Sequence, residues 1–153
     1  MAPKVRESVD IAAKIGDGLI ASVRDPSKTK KEVIDSAHSQ NPRLKILIVR
    51  WSIFAQSEDQ AWQAIQPWRG LRVSGRLKAV DPEELRIKAD QLGREEVLKS
   101  FPIASSADDL VKLYAPLVSE LKSDVVTIQT TSLDQEETIV MLGAKVLPAL
   151  RKL

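Results

Sequence analysis

The sequence predicts an α/β protein whose parallel sheet is covered by helices. Two observations carry this. Helical and strand-like segments alternate along the chain, and the strands read as short continuous apolar runs, the pattern of strands buried on both faces. A further observation limits the fold. Only three strands are legible, and a three-stranded parallel sheet leaves long apolar edges unpaired, so a partner must supply more strands or the chain forms part of a larger barrel.

The elements follow in order. Val5, Val9, Ala12 and Ile15 fall at near-helical spacing behind Pro3, and Gly16 marks the stop. Leu19, Ile20 and Ala21 form the first strand, expected to be buried on both faces. Asp25-Pro26 supplies a cap and an N1 proline for a helix over 27–39, with Val33, Ile34 and Ala37 on its buried side. Residues 44–55, "LKILIVRWSIFA", are rich in β-branched and aromatic residues and make the strongest strand. Ser57 opens a capping box with Gln60, and Ala61, Trp62, Ile65 and Trp68 mark one apolar helical face reaching about Pro67.

Residues 69–80 show no sustained period and carry Arg69, Arg72, Arg76 and Lys78, which reads as an irregular insertion within a single domain spanning 1–153. Asp81-Pro82-Glu83-Glu84 restarts a helix, and a shorter one follows near 94–99. Ser105 or Ser106 caps a helix with the cleanest apolar stripe, Leu110, Tyr114, Leu117 and Leu121 among it. Residues 124–132 form the third strand. The last helix is expected to bury Ile139, Val140, Leu142, Val146, Leu147 and Leu150, with Pro148 kinking it or restarting its final turn.

Composition excludes several functions. At 153 residues and 43% hydrophobic content the chain suits one globular domain, and a net charge of +2 is too small for the electrostatic footprint of a nucleic-acid binder. There is no cysteine and only one histidine, His38, so thiolate chemistry and Cys-ligated zinc are out, and no metal site is expected. No apolar run is long enough to span a bilayer and no signal-peptide pattern opens the chain, from which a cytoplasmic location is expected.

Candidate chemistry is sparse. In a parallel α/β arrangement ligands gather at the carboxyl ends of strands, here Ser22, the Ile53–Ala55 region and Thr130-Thr131-Ser132. Ser22 and Ser132 suit either a polar ligand or loop and cap duty. The arginines of the insertion fit an anion or plain solvation. Ser105-Ser106 suits a phosphate or, more simply, a cap. Arg50, inside an apolar strand, needs a partner, and an ion pair is expected. The three tryptophans fill the core on the simplest reading. No Walker loop, GxSxG elbow or GxGxxG motif is present, so no catalytic residue is assigned.

The stretch "APKVRESVDIAAKIGDGLIAS" resembles the segment after the fifth strand of the luciferase-like barrel oxidoreductases, in particular the branch that uses the deazaflavin coenzyme F420. In order behind it, "WRGLR", "DPEELRIKADQL", "IASSADDLVKLYAPLV" and "DVVTIQTTSLDQEETIVMLGAKVLPALRKL" are similar to the C-terminal half of that family. The resemblance implies a partial (β/α)8 TIM barrel made of the last three parallel strands with covering helices, with Met1 just after the fifth strand. It implies hydride transfer between the deazaflavin and a small polar substrate, as in the methylenetetrahydromethanopterin reductases and glucose 6-phosphate dehydrogenases of the family, with flavin mononucleotide the less expected cofactor.

By the same resemblance, Pro3, Lys4 and Val5 match the place where the family holds the coenzyme's phosphate-bearing tail, with Ala2 where glycine is usual. Ser22 and Arg76 match substrate-phosphate positions, while Ser100 stands where a second arginine is expected, which speaks against glucose 6-phosphate. The family's acid-base residues come from its first four strands, so the chain is expected to be inactive alone. Its expected partners are a second copy or a complementary N-terminal chain. The alternative is a non-catalytic half-barrel that self-associates or binds a partner; another is a small regulatory domain binding an anion at Arg69 to Arg76.

Overall fold

The structure is a computed structural model and describes residues 3–153, with side chains from residue 5 onward. Helix α1 is Pro3–Ile15 and strand β1 is Gly18–Ser22. Helix α2 runs over 26–40, α-helical at Pro26–Thr29 and Asp35–Gln40 and widened to a π turn at Lys30–Ile34. Strand β2 is Lys45–Phe54 and α3 is Glu58–Ile65, followed by 3-10 turns at Gln66–Arg72 and Arg76–Lys78. Then come α4 (Pro82–Asp90), α5 (Arg94–Lys99), β3 (Ile103–Ala104), α6 (Ala107–Ser119) and β4 (Val125–Thr131). Helix α7 runs over 135–150 and is itself widened at Leu142–Val146.

Four strands form one sheet in which β2 pairs with β1, β3 and β4. Pairing with β1 is parallel, Gly18 opposite Lys45 and Ser22 opposite Val49, and pairing with β3 is parallel at Ile53 and Phe54. Asp124 N–H donates to the Ile46 carbonyl, and the Thr130 hydroxyl to the Ser52 carbonyl, so β4 advances along β2 in the same direction. Strand β3 was not legible in the sequence, because two residues carry no period.

The residues divide into two compact units. The first takes in the chain up to Arg50 together with Val111–Gln129 and Leu147–Leu153. Its core is built from Val9 of α1, Ile34 and Ala37 of α2, Ile46 and Ile48 of β2, and Tyr114 of α6, all buried. The π turn helps α2 keep one face inward: Thr29 and Ile34, both buried, are five residues apart, the hydrogen-bond span of a π turn. At the start of the sheet, Asp124 accepts the Ile46 N–H at 2.8 Å and the Lys45 ammonium at 2.8 Å, taking the place of a backbone partner for β2.

The second unit comprises Trp51–Leu110 and Thr130–Val146. Ile53 and Ala55 pack there with Ala61, Ile65, Val97 and Phe101. The Ser57 cap forms as expected, its hydroxyl accepting the Gln60 N–H at 3.2 Å while Gln60 Oε1 takes the Gln56 N–H at 2.9 Å. Helix α3 stops at Ile65, short of the expected end. The tighter winding after it takes Trp68 off the Trp62 and Ile65 face, so Trp68 is 47% exposed and packs on Trp51 with ring centroids 5.3 Å apart.

Three further expectations are corrected. Strand β1 is not buried on both faces: Ile20 is 72% exposed. Val5 and Ile15 lie on the open side of α1, and it is Val9 and Ala13 that are buried. In α7 the inward positions are Thr138, Val146 and Leu150, so Ile139, Val140 and Leu147 are exposed. Thr138 can be buried because its hydroxyl is paired with the Ser132 hydroxyl and the Asp134 carbonyl, which removes the cost of burying it. The widened turn before Pro148 absorbs the helix bond that a proline cannot make, and Leu147–Leu150 begins a new turn.

Candidate functional site

In the first unit the turn at Gly16-Asp17 reverses the chain between α1 and β1. A Cβ on Gly16 would lie 2.8 Å from the Ala12 carbonyl oxygen, so only glycine fits this turn without a backbone shift. The reversal puts the first turn of α1 at the same end as Ser22, the last residue of β1. Ser22 is exposed, and its hydroxyl makes no hydrogen bond among the described residues. Pro3 and Lys4 open α1 and their side chains lie outside the described ones; Val5 is exposed.

The charge pattern of the helix N-termini sets α1 apart. Asp25 caps α2, Glu58 and Asp59 begin α3, and Asp81 and Glu83 open α4. Glu95, Asp108 and Asp134 do the same for α5, α6 and α7. The first turn of α1 holds no acid, and Lys4 and Arg6 are in it. Its N–H groups and dipole therefore favour an anion with no carboxylate competing beside them.

The other expected sites lie in the second unit and are largely committed to structure. Of the four cations of the insertion, Arg69 is paired with Asp90, and Arg72 donates to the Ser100 carbonyl at 2.9 Å while stacking 3.7 Å above the Phe101 ring. Arg76 and Lys78 are exposed and make no side-chain hydrogen bond or ion pair among the described residues. Arg76 follows Gly75, whose φ of 75° sets the turn that presents it. The Ser105-Ser106 terminus is filled from within: Asp109 takes the Ser105 N–H and hydroxyl, and Ser106 Oγ accepts the Asp109 N–H, which leaves a cap and no anion site. Ser132 is bound to the cap of α7.

Arg50 has no ion pair among the described residues, contrary to expectation. Its Nη1 donates to the Leu113 carbonyl at 3.2 Å, and the Tyr114 hydroxyl donates back to the Arg50 carbonyl at 2.7 Å. Burial without a carboxylate holds its pKa below the usual arginine value. His38 Nε2 lies 3.2 Å from the Leu44 carbonyl, a structural contact at the end of α2. Sequence reasoning missed the roles of Arg72, Asp109 and Tyr114. Only for Asp109 was there a signal, the Ser-x-x-Asp spacing of a capping box.

A parallel sheet whose strands are joined by helices is the layering of α/β proteins, barrels among them. No protein-family model and no curated protein matches the sequence. Solved structures do match the fold. An F420-dependent secondary alcohol dehydrogenase in complex with an F420–acetone adduct matches 95% of this chain and 46% of its own, with a TM-score of 0.76 at 20% identity. The coenzyme F420-dependent tetrahydromethanopterin reductase from Methanopyrus kandleri matches 95% of this chain and 48% of its own, with a TM-score of 0.61 at 17% identity. The chain thus shares its fold with about half of each of these two structures and spans about half their length.

Proposed function

We propose that this chain is the C-terminal portion of an F420-dependent, luciferase-like oxidoreductase and contributes binding surface to a barrel completed by other strands. The observation that carries the proposal is the fold match, over 95% of the chain, to an F420-dependent dehydrogenase. In this reading the first turn of α1, at Pro3, Lys4 and Val5, takes the anionic tail of the deazaflavin. The absence of acid from that turn, where the other helices described above carry one at the cap or in the first turn, supports the fit. Ser22 in the first unit and Arg76 in the second, each exposed and without side-chain partners among the described residues, are each free to contact a polar substrate group.

When bound, the deazaflavin supplies the hydride chemistry, between itself and a small polar substrate. This chain supplies charge and hydrogen bonds: helix N–H groups and Lys4 for the tail, the Ser22 hydroxyl and the Arg76 guanidinium for the substrate. No side chain is assigned proton transfer, so the chain alone binds without turnover. Calorimetric titration of the purified chain with oxidised F420 tests this. Saturable micromolar binding that weakens in Lys4→Glu supports the assignment; absence of binding overturns it.

A further inference from the structure

We infer that the groove between α2 and the end of α6 is a binding site for a phosphorylated small molecule that also carries hydroxyl or amino donors. The groove lies wholly in the first unit. Its volume is about 510 Å³, within the range of small-molecule sites. Ser27, Lys30, Lys31 and Asp35 line it from α2, and Glu120 and Lys122 from the chain that follows α6. Both walls belong to this chain, and strands joining the sheet at its edges leave the groove open.

Two departures from regular backbone shape its walls. The first is the π turn at Lys30–Ile34, a rare widening that recurs at functional sites. With Thr29 and Ile34 turned into the core, Lys30, Lys31 and Asp35 are left on the outward side. The second is Lys122, the one non-glycine residue of positive φ among the described residues, at 51°. A turn alone would be served better by glycine. Lys122 is held from both sides, since Leu121 is buried and Asp124 accepts the Ile46 N–H, and strain fixed in this way is a mark of ligand clamps.

Charge names the ligand. Lys45, Lys88 and Lys99 each hold a carboxylate. The ammonium groups of Lys30, Lys31 and Lys122 make no hydrogen bond or ion pair among the described residues, although Asp35 and Glu120 share their groove. Lys30 is half-buried, where a charge without a partner is costly. Three cations facing one groove repel one another until an anion enters, and lysine binds phosphate as a point charge. Against them stand two carboxylates, which accept hydrogen bonds and donate none. One surplus positive charge beside two strong acceptors suits a phosphate ester whose remaining groups are donors.

Titration of the isotopically labelled full chain with glycerol phosphate at constant ionic strength, followed by backbone amide resonances, tests the inference, with glycerol alone as the comparison. The expected result is saturable shifts at Lys30, Lys31 and Lys122, and a dissociation constant raised about threefold in Lys31→Gln and in Lys122→Gly. Lys122→Gly also relieves the left-handed strain, so weaker binding in that variant does not come from a lost fold. Groove resonances that stay in place overturn the inference. So do shifts that glycerol alone reproduces, or a dissociation constant that stays the same in either variant. Shifts confined to the first turn of α1 overturn it as well, because the phosphate then sits at the place assigned to the coenzyme tail. The two readings fail separately: groove binding in a chain that takes no F420 supports this one, and F420 binding with a silent groove overturns this one alone.

Discussion

Replacing Tyr114 by phenylalanine removes one oxygen from a fully buried side chain and leaves the ring that fills the core. That oxygen donates to the Arg50 carbonyl at 2.7 Å, while the Arg50 guanidinium reaches the Leu113 carbonyl at 3.2 Å, so the two contacts clasp β2 to α6. No cavity of consequence opens. The loss is a net hydrogen bond together with part of the penalty for stripping a buried carbonyl, about 1.5 kcal/mol. With a urea m-value of about 2 kcal/mol/M for a chain of this size, the unfolding midpoint falls by about 0.75 M at unchanged m. Equilibrium urea denaturation followed by circular dichroism measures it. A midpoint within about 0.2 M of the wild type would refute the reasoning that the clasp bears on stability.

Gly16→Ala forces a Cβ to within 2.8 Å of the Ala12 carbonyl oxygen and destabilises the chain by about 1–3 kcal/mol, seen as a lower urea midpoint. Lys122, at φ 51°, holds a left-handed conformation after α6, and Lys122→Gly raises stability by about 0.5–1 kcal/mol in the same assay. The Lys45 ammonium, bonded to the Asp124 carboxylate, holds that carboxyl below its ordinary pKa with help from the Ile46 N–H, so its contribution is present above the ordinary carboxylate value and is lost as pH falls through the depressed one. Lys45 is raised by the same bond to Asp124, and its contribution is lost only as pH rises through its raised value. Thermal melts of Asp124→Asn should therefore lose less stability than the wild type as pH falls below the ordinary carboxylate range.

Much of this fold was legible because its signals are local. The Asp25 and Asp81 caps with their prolines, the Ser57 capping box and the run of residues 45–54 each form close to where the sequence placed them. What escaped depends on which side of an element is covered. Ile20, Ile139 and Val140 are apolar and therefore read as core, yet nothing in their own segments shows which face meets a neighbour. The buried Thr138 reverses the usual preference because its hydroxyl finds two partners, a fact that becomes visible only once Ser132 and Asp134 are placed. The same holds for the insertion. Four cations look alike in sequence, and packing alone separates Arg69 and Arg72, bound to Asp90 and Ser100, from Arg76 and Lys78.

The central claim is that a deazaflavin tail sits at the start of α1, at the end of the first unit marked by Ser22. The measurement that tests it most directly is a titration of the isotopically labelled chain with oxidised F420, following backbone amide resonances. Saturable shifts concentrated at Lys4, Val5 and Ser22 are the predicted result. Resonances that do not move there, or shifts confined to other residues, would contradict it.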